Sequence, residues 1–285
     1  MDVDQRLDIR SSSSSSSRSS GSSATSDNDS DIEFTVDQDD ASKRSAALDP
    51  LAWAPVLVAV VAIPTDVITV LWGCQHPHID CNIGYPTLGV AARHRPQLYV
   101  YLVGTVVASV LFLATAALFA WFLHLSLPPT HRWLAISVLL GGALTAILLV
   151  VAAIHDTRGH PAGLSLASAT SFLTTWVTLL RMQHARRTAF LLLRTKDATE
   201  RHHRIRGIAI GEYAIVLGAI ASVAYVVTAL VTSSSAWWTK LLGPAAYEGL
   251  VVASWSALVA SFATEIGRLS RLVEQHDLEA LSRQK

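Results

Sequence analysis

Residues 72–96 read WGCQHPHIDCNIGYPTLGVAARHRP, and their reading decides what the flanking residues are. This polar stretch holds both cysteines, Cys74 and Cys81, with His76, His78, Asp80 and His94 beside them. Pro77, Gly84, Pro86, Gly89 and Pro96 interrupt any regular helix or strand across it. On both sides the chain turns apolar for lengths close to the ~20 residues a helix needs to cross hydrocarbon. The stretch is therefore predicted to be a loop joining two membrane spans.

Working outward, six apolar runs of spanning length emerge: Leu51 to Trp72, Gln97 to Leu123, Trp133 to Ile154, Leu164 to Leu180, Ile208 to Thr232 and Ala245 to Ile266. With 51% hydrophobic and 15% charged residues, the 285-residue chain is too apolar for an ordinary soluble domain. The predicted fold class is all-α, a polytopic integral membrane protein with a six-helix transmembrane bundle. The fourth run, LSLASATSFLTTWVTLL, is rich in hydroxyls, which suits a helix packed inside a bundle. Residues 1–49 form a Ser-rich acidic tail with hardly any large apolar residues, expected to be disordered because nothing offsets its ordering entropy. Residues 50–272 form the membrane domain and residues 273–285 a short C-terminal tail. No basic-then-apolar leader opens the chain, so the first span is expected to direct insertion. Ser26 and Ser30, each followed by acidic residues, are candidate phosphorylation sites in the first tail.

Lysine and arginine placement sets the expected orientation. With the termini inside, the inner segments carry fifteen basic residues near the membrane and the outer loops four. Both termini are thus predicted to be cytoplasmic, with the Cys74/Cys81 loop on the opposite side. The sequon at Asn28 should then stay unused. An oxidising compartment favours a Cys74–Cys81 disulfide. The competing reading is a zinc or copper site drawing on Cys74, His76, His78, Asp80 and Cys81, although their spacing matches no zinc signature.

Three carboxylates fall in or near spans, where an unpaired charge is costly and tends to serve a function: Asp66, Glu212 and Glu248. Asp66 and Glu248 fall at outer depths, and Glu212 lies within reach of the basic inner loop. That loop carries Arg181, Arg186, Arg187, Arg194, Lys196, Arg201, Arg204 and Arg206, which are the candidate contacts for anionic lipid. The alternative is ordinary topology signalling. No serine nucleophile motif, nucleotide-binding glycine loop, buried haem ligand or nucleic-acid module is present, so no cofactor and no catalytic residue is expected.

The order of a first span with an early proline (Trp53-Ala54-Pro55), the loop segment Pro77-His78-Ile79-Asp80 followed by Ile83-Gly84, and a last span opening Ala245-Ala246-Tyr247-Glu248 resembles one six-span family. That family includes the DRAM autophagy modulators, the FGF-receptor-activating protein and the fungal Sfk proteins. The resemblance implies a six-helix fold, motif positions Asp80, Gly84 and Glu248, and a non-enzymatic role in lipid organisation, autophagy or recruitment of a peripheral partner. The expected partners are membrane lipids, anionic ones at the basic loop, and a cytoplasmic protein, but no nucleic acid. The plasma membrane and the endolysosomal and Golgi membranes all remain open as locations. The alternative function is a transporter or ion pathway through the three carboxylates. A continuous polar cavity joining them would favour that reading, and a dry, packed centre the regulator.

Overall fold

A computed structural model of the chain describes residues 49–77, 81, 86–156, 166–192, 198–231 and 243–273. All belong to one compact unit, Asp40–Lys285, and no strand occurs among them. A 3₁₀ turn, Asp49–Trp53, leads into α1 (Ala54–Gly73), with Pro55 near the helix start, where a missing N–H costs nothing. Then come the four-residue α2 (Leu88–Ala91), α3 (Gln97–Ser126), α4 (Trp133–Asp156), α5 (Leu166–Leu192) and α6 (Ala198–Val231). The last two are α7 (Pro244–Ala260) and the short α8 (Ala263–Ile266).

Five segments are long and apolar enough to cross a membrane: Pro50–Gly73, Gln97–Ser126, Pro129–His155, Arg201–Thr228 and Pro244–Val273. Their outward residues are large and apolar; Val103, Val110, Ile136, Leu140, Ile147, Ile220 and Val223 are each at least 60% exposed. A soluble monomer rarely shows so continuous an apolar surface. The six-run expectation is met only in part by this measure, because α5 falls outside the five. Its second half carries Arg181, Gln183, Arg186 and Arg187, and its first half is rich in hydroxyls: Ser171, Thr175 and Thr178 are buried, and Thr178 Oγ1 lies 2.9 Å from Thr145 Oγ1 on α4. Ser171 and Thr175 each donate to a carbonyl within their own helix. Such satisfied hydroxyls lower the average hydropathy of a helix without preventing its burial.

The helices form a ring in which α1 packs on α3 and α7, α3 on α4, α4 on α5, and α6 on α7. Small residues bring the axes close. A Cβ on Gly142 of α4 would collide with the Ala116 side chain of α3, so only glycine permits that approach. The main core fills one half of the ring with Phe119, Phe122, Leu123, Met182, Phe262 and Ile266. A smaller cluster of Leu88, Ala92, Tyr101 and Ala153 sits at the other end, beside the disulfide.

Candidate functional site

The predicted bond between Cys74 and Cys81 is formed, with Cα atoms 5.6 Å apart. It leaves neither sulfur as a thiolate ligand, which removes the competing metal reading at these cysteines. Next to it His76 stacks on His94 with ring centroids 3.9 Å apart, and Gln97 Nε2 donates to the Trp72 carbonyl at 2.9 Å. These contacts tie the end of α1 to the start of α3. The short α2 lies over this end of the ring, and its first backbone amide, on Leu88, donates to Glu248 Oε2 at 2.8 Å. Glu248 thus supplies the acceptor that a helix start lacks.

Beneath α2 is a cavity of about 490 Å³. Asp66 of α1 and Glu248 of α7 both line it. Arg93 and Tyr101 also line it. The Asp66 carboxylate makes no hydrogen bond or ion pair among the described residues. At ~1.5 Å per residue the α7 wall from Glu248 to Val259 runs roughly 16 Å. Its deeper part is apolar, with Val58, Phe112, Leu179 and Val259 as floor. Two polar atoms there, Ser109 Oγ and Trp255 Nε1, are buried with no hydrogen-bond partner among the described residues. Trp255 is held in place by Phe172 at 5.4 Å and Trp176 at 6.0 Å between ring centroids.

Below the floor the packed core closes the ring, and beyond it lies the basic end. Here Arg186 of α5 is 1% exposed and is bound on every side. Its Nε and Nη2 donate to the two carboxylate oxygens of Glu265 at 2.8 and 2.7 Å. Nη1 donates to the Gly207 carbonyl and to Ser261 Oγ, both at 2.9 Å, and Nη2 also donates to the Ser261 carbonyl at 2.7 Å and to Thr264 Oγ1 at 3.2 Å. The Ser261 carbonyl is free to accept because the Glu265 amide turns instead to the Phe262 carbonyl, where α7 gives way to α8. One guanidinium therefore joins α5, α6 and the end of α7.

Two expected lipid contacts are corrected by this geometry. Arg186 is sequestered with Glu265, and Arg204 is 3% exposed with its guanidinium 5.3 Å from the Phe190 ring centroid. Neither presents its charge to headgroups. Arg181, Arg201 and Arg206 are exposed, and Arg187 is exposed but paired with Glu212 at 2.6 Å. Glu212 is where the sequence reading put it, within reach of the basic loop, but it faces outward and does not line the cavity. Asp80, Gly84, Arg194, Lys196, Ser26 and Ser30 lie outside the described residues, as do the two tails at 1–48 and 274–285.

The sequence reading brought out Asp66 and Glu248 separately and missed Glu265, Ser109 and Trp255. Glu265 carried a usable signal, an acid at the end of the last apolar run facing a loop full of arginine. Ser109 and Trp255 carried none, since hydroxyls and indoles in spans are ordinary. Comparison with protein-family models, with curated proteins and with solved structures finds no match for this chain.

Proposed function

We propose that the chain is a six-span membrane protein without catalytic chemistry, which holds an amphiphile in its cavity and so takes part in lipid organisation. α5 is read as the sixth crossing. Its 27 residues reach roughly 40 Å, and its outward residues Leu166, Leu173, Val177 and Leu180 are apolar. The excess of arginine at the other end of the bundle puts that end in the cytoplasm, together with both termini, and turns the cavity toward the opposite leaflet. The exposed Arg181, Arg201 and Arg206 are then available to anionic headgroups. The family resemblance, which Glu248 carries among the described positions, supplies lipid organisation and autophagy as the setting.

The observation that carries the reading is that, among the described residues, the cavity lining runs from Asp66 and Glu248 to Val58 and Val259 and does not reach the basic end. It joins Asp66 to Glu248, and the core around Phe119, Met182 and Phe262 closes it below. The alternative, a pathway through all three carboxylates, finds no support in the third, because Glu212 lies apart on the surface. Concave, mostly apolar pockets with a few polar groups are the usual form of a small-molecule site. The test is lipidomic mass spectrometry of the full chain purified in nanodiscs. Ala108→Phe, which puts a ring into the cavity, is expected to remove the retained amphiphile. Val103→Phe, on the 63% exposed outward face, is expected to leave it in place. Equal retention by both variants refutes the proposal.

A further inference from the structure

We infer that the amphiphile held in this cavity is an uncharged single-chain lipid with a hydroxyl head, the hydroxyl hydrogen-bonded to Asp66 and the chain laid along the apolar floor. This rests on the cavity being a ligand site and adds the chemistry of its occupant.

The head follows from which polar groups of the lining still want a partner. Val58, Ala62, Thr65 and Asp66 follow one another at helical spacing along the cavity side of α1. Thr65 Oγ1 donates to the Val61 carbonyl at 2.7 Å, and Ser171 and Thr175 of α5 likewise bond within their own helix. Glu248 accepts from the Leu88 amide, and both it and Arg93 have other contacts besides. That leaves Asp66, which makes no hydrogen bond or ion pair among the described residues. A polar group left unbonded in apolar surroundings costs free energy, so a ligand that bonds Asp66 is favoured. A carboxylate head would come up against two acids. An ammonium head matches only an ionised Asp66, and charge at membrane depth is costly. A hydroxyl has one donor and two acceptor lone pairs: it donates to a carboxylate, and it both donates to and accepts from a carboxylic acid. Of these three heads, it alone suits Asp66 in either form.

The chain follows from the walls. Below Asp66 the lining is apolar as far as Val58, Phe112, Leu179 and Val259. The wall from Glu248 to Val259 runs roughly 16 Å, which at the ~1.2 Å per bond of an extended chain is the length of roughly thirteen carbons. The volume of about 490 Å³ lies within the usual range for a small-molecule site. An independent sign that the interior is built to meet a ligand is Ser109, a residue of the lining that is only 2% exposed and whose hydroxyl has no partner. The Trp255 N–H, on the α7 side, is in the same condition. Both groups are neutral, and neither calls for a charged ligand.

The experiment measures binding of tritiated tetradecanol, its methyl ether, tetradecylamine and tetradecanoate to the full chain in nanodiscs, above the level of protein-free nanodiscs, for wild type, Asp66→Asn, Asp66→Leu and Ala108→Phe. The ether keeps the chain and the oxygen but cannot donate. Wild type is expected to bind the alcohol about tenfold more tightly than the ether, as when one buried hydrogen bond is lost, and more tightly than the amine or the acid. Asp66→Asn, whose amide also both donates and accepts, should keep the preference for alcohol over ether to within about threefold. Asp66→Leu should bring the alcohol down to the level of the ether, with ether binding unchanged as the sign that the cavity is still folded. Ala108→Phe should abolish binding of all four. If alcohol and ether bind alike in wild type, if the amine binds most tightly, or if Asp66→Asn loses the preference as fully as Asp66→Leu, the hydroxyl inference is overturned while binding that Ala108→Phe removes keeps the cavity as a ligand site. If binding is absent, or indifferent to Ala108→Phe, the ligand-site reading itself fails.

Discussion

Removing the Glu265 carboxylate should destabilise this protein more than any surface substitution. Both partners of the Arg186–Glu265 pair are 1% exposed, and the acid supplies two of the six acceptor contacts around the guanidinium. In Glu265→Ala, Arg186 keeps its bonds to Gly207, Ser261 and Thr264, yet its charge is left buried and uncompensated. Breaking a buried pair in this way costs about 3–5 kcal/mol. On the scale of about 2–4 °C per kcal/mol for chains of this size, Tm should fall by roughly 6–20 °C. Arg186→Met should do comparable damage by stranding the acid. The double variant Arg186→Met with Glu265→Leu removes both charges and should be less destabilised than the sum of the singles by a few kcal/mol. The assay is thermal unfolding of the purified protein in one detergent, run as a double-mutant cycle. A Glu265→Ala loss within about 1 kcal/mol of wild type, or strict additivity, would refute the view that this pair clamps the basic end.

Three further outcomes are expected. Gly207→Ala should cost about 1–3 kcal/mol in the same assay, because the new Cβ would land on Arg186 Nη2 and force the clamp to shift. Replacing Cys74 and Cys81 by serine releases a bridge of sequence separation 7, worth about 2.5 kcal/mol by loop-closure entropy, and should raise proteolytic cleavage at that end first. Changing the exposed Arg181, Arg201 and Arg206 together to glutamine should weaken recruitment of anionic lipid about a hundredfold at low salt, at ~1 kcal/mol each. The same change at the buried Arg204 should leave recruitment unaltered, as judged by lipid mass spectrometry across ionic strength.

The long helices were legible because hydrocarbon sets a length that apolar runs must match. The run Gln97 to Leu123 became Gln97–Ser126, and Trp133 to Ile154 became Trp133–Asp156. Helix ends in polar sequence were not legible, since hydropathy registers the bilayer and not backbone hydrogen bonding. Thus α6 begins at Ala198, ten residues before the apolar run at Ile208, within a stretch of charge and histidine. The Cys74–Cys81 bond followed from two cysteines in one loop expected on the oxidising side. Arg186 could not, because nothing in its neighbourhood distinguishes it from Arg187, one residue on; only the fold brings Glu265 to one and Glu212 to the other. The meeting of Asp66 with Glu248 likewise depends on α1 and α7 being neighbours in the ring, an order that hydropathy does not encode.

Where Arg186 grips the Gly207 carbonyl, α6 has a fulcrum, and its two arms are unequal. Arg201 stands six residues to one side, roughly 9 Å, while Val226 stands nineteen to the other, roughly 28 Å. A straight rod that rocks about such a point multiplies motion about threefold from the short arm to the long one. Val226, which lines the cavity, lies on the longer arm.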